Sequence, residues 1–479
     1  EEFPPGDGEG YHRQMITALL LAAALAAPAP AVSGPATLRV QYVHSGTATE
    51  ERFALRAVAR EGPWPGPRTG LVEDERLGVY RVEVRDVASG ALVFAQGFAS
   101  IFGEWKTTAE AKTTARGFDE SVRFPEPAGS VDVTIARRDA GGHYEKLWTV
   151  RVDPQAPWID RAAAPAGVSL WAIQENGPPA EKVDLLLLGD GYTAAERDKW
   201  HADARRLTEA LFAVSPFRER RDSFNVWAID VWSDQSGVSR LSDKVHRRNA
   251  LRATYDAFGA ERYVLTFDDT RLREVAAAAP YDFMEIVVND RKYGGGGIHN
   301  LYATVAADNA FTPYVFVHEF GHHFAALGDE YYTSPDVYEA AAGRPEPPDP
   351  NITADPRAAK WKDLIVAGTP LPTPWPKQLF EDGQKAYQEQ RKKIRAEGRP
   401  EAEMEALFRE ERTRSTAMLA PMKGVVGAYE GALYESSGYY RPEADCIMFT
   451  RDEVGFCAVC RRAIEATIDR YAPRPASAR

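Results

Sequence analysis

The sequence contains few of the residues that mark several common protein classes. Only three of its 479 residues are cysteine and nine are histidine, so a disulfide-rich scaffold is excluded. Basic residues are outnumbered, since 58 Lys and Arg stand against 70 Asp and Glu and give a net charge of −12. A general nucleic-acid binder would carry a basic face. We therefore expect no nucleic-acid partner.

Long apolar runs are scarce as well. The one candidate is ITALLLAAALAAPAPA (16–31), which begins just after Met15 and is shorter than a bilayer span. It ends in the small-residue pattern Ala29-Pro30-Ala31, so residues 1–33 are predicted to be a leader and signal peptide with Met15 as the start. The alternative is a hydrophobic tail or lipid-style anchor. We expect a secreted, periplasmic or cell-surface protein without a stable membrane span.

The remaining composition is that of a folded globular protein. Hydrophobic residues make up 44% and charged residues 27%, and the length favours two globular units. Residues 34–155 contain short runs in which apolar and polar residues alternate, separated by Gly, Pro and Asp. This pattern predicts an all-β sandwich that serves as an accessory domain.

Beyond PQAPW (154–158) the pattern changes to buried strands that alternate with helices, which predicts an α/β (α+β) catalytic domain over residues 156–479. The predicted strands are KVDLLLLGDGY, FNVWAIDVW, RYVLTF and FMEIVVND. Thr193 and Glu196 form a capping box that opens a helix to about Phe212. An insertion over about 335–430 contains a charged helical stretch, which we interpret as a solvated face.

The chemistry is concentrated in HEFGHHFAALGDEYY (318–332). The apolar spacing around this stretch is helical, so His318 and His322 lie one turn apart on one face, where two imidazoles can hold one ion. Zn²⁺ is the usual ion for such a pair. Glu319 projects beside it and can act as the general base that takes a proton from the attacking water. His323 falls off this face and is expected in an outer shell or in solvent.

A catalytic zinc needs a third protein ligand and one open position. Gly328 supplies a flexible turn after the helix, and Asp329 follows it, so Asp329 is the predicted third ligand. Glu330 is the close competitor, and a distant residue is a further alternative.

The three cysteines, Cys446, Cys457 and Cys460, all lie in the last tenth of the chain. A closed structural zinc site needs four ligands, and only one cysteine lies outside Cys457-Ala-Val-Cys460. We therefore expect a structural role, or a disulfide between two of them, rather than metal binding.

Taken together, these features resemble the IgA-peptidase family of bacterial secreted zinc metallopeptidases. The similarity covers about residues 156–479, and the preceding β domain stands where that family has its own N-terminal domain. The segments that carry the resemblance are LLLGDGYTAAE, SPF…FNVW, VVNDRKYGGGG, HEFGHHFAALGDEYY and GYYRPEADCIM…FCAVC.

The resemblance implies a metzincin-like catalytic domain with zinc on His318 and His322 and with Glu319 as the base. It also implies that Met448 lies beneath the metal. The usual metzincin pattern is HExxHxxGxxH, whereas here Ala325 and Gly328 occupy the glycine and third-histidine positions.

Two further features near these motifs are candidates for substrate contacts. Tyr440, or its neighbour Tyr439, can donate a hydrogen bond to the oxyanion, with packing as the alternative role. VVNDRKYGGGG is a candidate edge strand along which an extended peptide is aligned.

The predicted function is a secreted zinc endopeptidase that hydrolyses peptide bonds in proteins or peptides, with one catalytic Zn²⁺ and an unknown oligomeric state. Two alternatives remain open at this stage. One is a catalytically inactive adhesin or glycan-binding protein, and the other is a metal-dependent amidase that acts on cell-wall peptide.

Overall fold

The computed structural model describes residues 34–161, 165–333 and 343–474. The predicted leader, signal peptide and cleavage site lie outside these ranges. Among the described residues, no helix combines the length and the apolar character needed to cross a bilayer.

Residues 36–152 form two antiparallel sheets around one apolar core. The strands are β1 (Ala36–Gly46), β2 (Glu51–Pro63), β3 (Tyr80–Asp86), β4 (Leu92–Phe98), β5 (Arg116–Pro125), β6 (Val131–Arg138) and β7 (Tyr144–Val152). One sheet has the order β2-β1-β5 and the other has the order β4-β3-β6-β7. A short helix, α1 (Ile101–Trp105), follows β4. This β-rich N-terminal region agrees with the sequence prediction.

The second region is built on a six-stranded sheet. Its strands are β8 (Ser169–Gln174), β9 (Val183–Asp190), β10 (Phe224–Asp230), β11 (Phe283–Val288), β12 (Gly295–Ile298) and β13 (Tyr302–Ala306). The order is β12-β13-β11-β9-β10-β8, with four parallel central strands and antiparallel strands at both edges. Every residue of the four central strands is buried, which explains their continuous apolar sequences.

Three of the four predicted strands in this region are confirmed. The prediction of a strand at RYVLTF (262–267) is wrong. Tyr263 and Leu265 form only isolated bridges, to Gly295 and Thr254. The segment therefore lies beside β12 without becoming a strand of the sheet.

Helices and a hairpin complete the second region. They are α2 (Arg197–Phe212), α3 (Asp269–Ala276), α4 (Thr312–Ala325), α5 (Lys377–Ala396), α6 (Glu401–Leu419), β14 (Tyr429–Ala432), β15 (Glu435–Arg441) and α7 (Ala458–Tyr471). The predicted capping box of Thr193 and Glu196 is present, and α2 ends at Phe212 as expected. Helices α2, α4 and α7 contribute to the larger apolar core.

The two regions share buried side chains. Phe102 and Phe118 of the N-terminal region belong to the same core as Leu186 and Trp227 of the six-stranded sheet. Ser121 donates a 2.6 Å hydrogen bond to Asp269 across the same boundary. The N-terminal sheets thus support the α/β region directly.

Helices α5 and α6 are less solvated than their charge suggests. Phe380, Tyr387, Met404 and Phe408 are buried in the larger core. One face of this charged pair therefore packs against the α/β region, and only the other face is left to water.

Candidate metal centre

Helix α4 carries the HExxH segment and ends in a tight turn. Ala326 caps it in the left-handed conformation, with φ 51°. The expectation that Gly328 supplies this turn is therefore wrong. A Cβ atom at Gly328 would instead meet Asp349 and Ile352 at 3.0 and 2.9 Å, so glycine is needed there for close packing.

The turn brings three ligand atoms together. His318 Nε2 and His322 Nε2 lie 3.2 Å apart, and each lies 3.2 Å from Asp329 Oδ1. The predicted set of His318, His322 and Asp329 is therefore assembled at one point.

Backbone carbonyls fix the tautomer of both rings. His318 Nδ1–H donates to the Ile447 carbonyl oxygen at 2.9 Å, and His322 Nδ1–H donates to the Leu327 carbonyl oxygen at 2.5 Å. In the neutral form of each ring, Nε2 then carries a lone pair. Both Nε2 atoms face Asp329 Oδ1, a buried oxygen without any other hydrogen-bond donor among the described residues. Three such atoms that face one another favour a positive charge between them, which either a metal ion or a proton supplies.

The spacing fits a small tetrahedral ion. Corners of a tetrahedron that are 3.2 Å apart lie about 2.0 Å from its centre, which is the usual length of zinc bonds to nitrogen and oxygen. Three protein ligands also leave the fourth corner open, as in catalytic zinc sites.

The local charges agree with this reading. Burial alone would lower the pKa of His322, but the neighbouring Asp329 carboxylate raises that pKa to about 10. Burial likewise opposes charge on Asp329, yet His322 and His318 hold the pKa of its carboxyl group well below the ordinary value. Without a metal ion the His322 ring would hold a proton beside the Asp329 carboxylate, and a bound cation would take the place of that proton.

Tyr434 orients Asp329, and sequence reasoning missed it. Its hydroxyl donates to Asp329 Oδ2, which leaves Oδ1 directed at the histidines. Leu433 and Tyr434 are the two central residues of the β14–β15 turn and both have positive φ, 48° and 63°. The turn is held by backbone hydrogen bonds to the carbonyls of Asp329 and Tyr331. Its sequence lacks the Asn-Gly or Asp-Gly pair that usually signals such a turn.

Two glutamates lie near the ligand triangle, half-buried Glu319 beside the histidines and fully buried Glu285 close to Glu319. Glu319 offers a carboxylate oxygen within 4.8 Å of both histidine ligand atoms, and burial raises the pKa of its carboxyl group above the ordinary value. Glu285 of β11 is fully buried, and burial together with the charge of Glu319 raises its pKa well above the ordinary value. Both carboxyl oxygens of Glu285 are buried without a hydrogen-bond partner among the described residues, which disfavours a negative charge there.

The triangle opens into a cleft of about 380 Å³ that Glu319, His322 and Asp329 help to line. The inserted helices form part of the wall through Phe380 and Tyr387. The N-terminal region also reaches the cleft, with lining residues Gly78, Val79, Ala99 and Glu104. Both peripheral parts of the chain therefore shape the space around the ligands.

The glycine run lies at the expected edge of the sheet. A Cβ atom at Gly297 would meet the carbonyl oxygen of Glu319 at 2.3 Å, so β12 passes directly along α4. The outer side of β12 is partly taken, because Val264 donates to the Gly295 carbonyl and Gly295 donates to the Arg262 carbonyl. A peptide aligned on this edge would have to bind beyond Gly295.

The remaining candidates fall in different places. Tyr440 does not line the cleft, since its backbone pairs with Thr353 on the hairpin, and its predicted role gains no support. Met448 is fully buried, and its sulfur lies 3.2 Å from where a Cβ of Gly321 would be, beneath α4.

His323 is neither solvent-facing nor near the ligands. It accepts a hydrogen bond from the Met284 amide at 3.1 Å and donates to the Ile298 carbonyl at 3.0 Å. Burial lowers the pKa of His323 to about 3, so it is a neutral side chain that joins α4 to β11 and β12.

Comparison with protein families matches nearly the whole chain. The family described as IgA Peptidase M64 matches residues 171–468. The family described as Peptidase M64 N-terminus matches residues 31–149. Comparison with curated proteins gives no match.

Proposed function

Because this chain belongs to the IgA peptidase M64 family, a family of metallopeptidases, we propose that it is an exported zinc-dependent endopeptidase. In this proposal His318, His322 and Asp329 hold the ion, and Glu319 is the general base. The observation that carries the proposal is the 3.2 Å triangle of ligand atoms beside half-buried Glu319 in an open cleft.

The donor set is two neutral imidazoles and one carboxylate, which is a typical set for a catalytic zinc. When bound, the ion polarises the substrate carbonyl and lowers the pKa of a water molecule.

Glu319 then moves the proton. Burial raises the pKa of its carboxyl group towards neutral pH. A group whose pKa lies near the working pH is most effective as a general base and acid. One oxygen takes the proton from the attacking water, and the same carboxyl group delivers it to the nitrogen of the leaving amine. Burial of Glu285 disfavours a second negative charge near Glu319, where it would compete for this proton.

Arg262 is the proposed electrostatic partner of the reaction. It lines the cleft, and its guanidinium donates to the Tyr331 hydroxyl at 3.4 Å. The Tyr331 ring in turn stacks beside His318, with ring centroids 6.1 Å apart. A fixed positive charge that lines the cleft can stabilise the oxyanion that forms on the substrate carbonyl.

The proposed substrate is an extended polypeptide. The cleft is open, and β12 offers a sheet edge next to α4, to which main-chain groups of a peptide can bind. The proposal covers polypeptides in general and does not assign an immunoglobulin.

Two variants test the assignment. Glu319→Gln is expected to keep the zinc of the wild type but to lose kcat by about 10²- to 10⁴-fold. His318→Ala is expected to lose one zinc per chain and all activity. Zinc is measured by elemental analysis after dialysis, and activity by hydrolysis of unfolded casein and a peptide library. Full activity in Glu319→Gln would contradict the mechanism, and release from purified peptidoglycan without polypeptide cleavage would replace the peptidase with an amidase.

A further inference from the structure

A second group of metal-ligand side chains lies behind the first. Glu330, Cys446, Cys457 and Cys460 offer one oxygen and three sulfur atoms within 4.8 Å of one another. The side chains are buried, with exposed fractions of 0% for Glu330, Cys446 and Cys460 and 3% for Cys457. Glu330 was considered above as a ligand of the first site, but it faces the cysteines.

The distances match a tetrahedral site. Zinc bonds of about 2.3 Å to sulfur and about 2.0 Å to oxygen place two sulfurs about 3.8 Å apart, and a sulfur and an oxygen about 3.5 Å apart. Cys446 Sγ and Cys460 Sγ are 3.9 Å apart. Glu330 Oε1 lies 3.8 Å from Cys457 Sγ and 3.3 Å from Cys460 Sγ.

Backbone amides donate hydrogen bonds to two of the sulfur atoms, an arrangement that is typical of thiolates. Cys446 Sγ accepts from the amides of Met448 and Cys457 at 3.5 and 3.3 Å, and Cys457 Sγ accepts from the Cys460 amide at 3.4 Å. Such donors stabilise sulfur that carries negative charge.

Glu330 is held in place for the same purpose. Asn351, fully buried, donates to Glu330 Oε1 at 3.0 Å and also pairs with both backbone groups of Gly328. Glu330 Oε2 is buried without a hydrogen-bond partner among the described residues. A buried carboxylate in that condition is costly unless a cation lies beside it.

We propose that Cys446, Cys457, Cys460 and Glu330 form a closed structural site for a second ion, with Zn²⁺ as the metal that suits three thiolates and a carboxylate. Sequence reasoning rejected this site because a fourth cysteine is missing, and Glu330 supplies the missing ligand. A disulfide is not formed, since all three cysteines are free and a disulfide needs sulfurs about 2.05 Å apart.

The second site supports the first from two directions. Glu330 directly follows Asp329, and the Glu330 amide donates to the Met448 carbonyl at 2.9 Å. Cys446 precedes Ile447, whose carbonyl accepts from His318. One ion thus joins the segment that carries Asp329 to the segment that orients His318 and to the start of α7, whose N-cap is Cys457.

The test uses the full chain as His318→Ala, in which the first site is disabled. Elemental analysis after dialysis is expected to find one zinc per chain. X-ray absorption at the zinc edge is expected to show three sulfur neighbours at about 2.3 Å and one lighter neighbour at about 2.0 Å. The first site contains no sulfur, so this result does not depend on peptidase activity.

Cys460→Ser in the same background is expected to lose the sulfur-bound zinc and to unfold at lower temperature. Ala463→Ser, which adds a hydroxyl group to the same helix, is the control and is expected to keep the zinc. The proposal is overturned if His318→Ala is folded but binds no zinc, binds it only through nitrogen and oxygen, or has a mass two hydrogens below that of the three-thiol chain. If Cys460→Ser fails to fold, the measurements on His318→Ala decide alone.

Discussion

Asp329 and Glu330 are neighbours in the chain but belong to two different clusters. The first cluster faces the cleft, with side-chain exposures of 15% for His322 and 11% for Asp329. The second cluster is closed, since its glutamate and two of its cysteines have no exposed surface. Three ligands on an open face leave a position for substrate, whereas four ligands in a closed core leave none. In the proposed account, Asp329 thus serves the reaction and Glu330 serves rigidity.

The comparison also shows why the carboxylates are not interchangeable. Asp329 is oriented by a tyrosine hydroxyl from the hairpin, and Glu330 is oriented by the Asn351 amide. Each carboxylate therefore has its own outer partner, and the two partners come from different loops. Outer partners of this kind fix the direction of a metal ligand.

The largest expected difference between the two clusters is the rate at which they lose their metal to a chelator. A chelator is expected to abolish activity while one sulfur-bound zinc per chain remains, because only the first cluster is open to solvent. Activity and zinc content are followed in the same samples over time, with zinc added back as the control. Loss of both ions at the same rate would show that the clusters do not differ in access.

Replacing each of the two adjacent carboxylates by its amide should impair different properties of the protein. Asp329→Asn is expected to weaken zinc binding at the first cluster by at least about 100-fold, more than the loss of an outer partner costs, with little change in melting temperature. Glu330→Gln is expected to lower the melting temperature instead. Zinc titration and thermal unfolding of both variants check this, and equal phenotypes would remove the distinction between the clusters.

The Asn351→Ala variant tests how much the Asn351 amide stabilises the segment that carries both carboxylates. Asn351→Ala leaves the two backbone groups of Gly328 without their buried partner, whereas Glu330 Oε1 keeps its contact with Cys460. Each unsatisfied group costs about 1–3 kcal/mol, so two such groups are expected to lower the free energy of unfolding by about 2–6 kcal/mol. Denaturant unfolding measures it, and a change below about 1 kcal/mol would contradict the role of Asn351.

The smallest expected effect concerns the two tyrosine candidates. Tyr434→Phe removes the hydroxyl group that orients Asp329 and is expected to lower activity or zinc affinity about 10-fold. Tyr440→Phe is the matched control on the same hairpin and is expected to leave kcat/KM unchanged. The reverse outcome would restore the sequence-based choice of Tyr440 and remove Tyr434 from the site.

The parts of the site that depend on local spacing could be predicted from the sequence. His318, Glu319 and His322 lie on one helix, so a helical turn alone determines their separation. Three of the four central strands, β9, β10 and β11, were also predictable, because they are buried on both faces and read as apolar runs. The fourth, β13, was not predicted. RYVLTF has the same apolar character, but Tyr263 and Leu265 find only isolated partners.

The parts that depend on distant segments could not be predicted. Tyr434 reaches Asp329 through a turn with two non-glycine residues at positive φ, which has no sequence signature. Glu330 meets the cysteines only after the chain has passed through both inserted helices and the hairpin. A count of cysteines alone therefore missed a cluster whose fourth member is a carboxylate.

The most direct test of the central claim is peptide-bond cleavage by the zinc-loaded protein, measured as new amino termini in a defined peptide library by mass spectrometry. We predict internal cleavage by the wild type that stops on zinc removal, returns on zinc addition and is lost in Glu319→Gln at equal zinc content. A fully metallated wild-type protein that leaves every peptide intact would contradict the account.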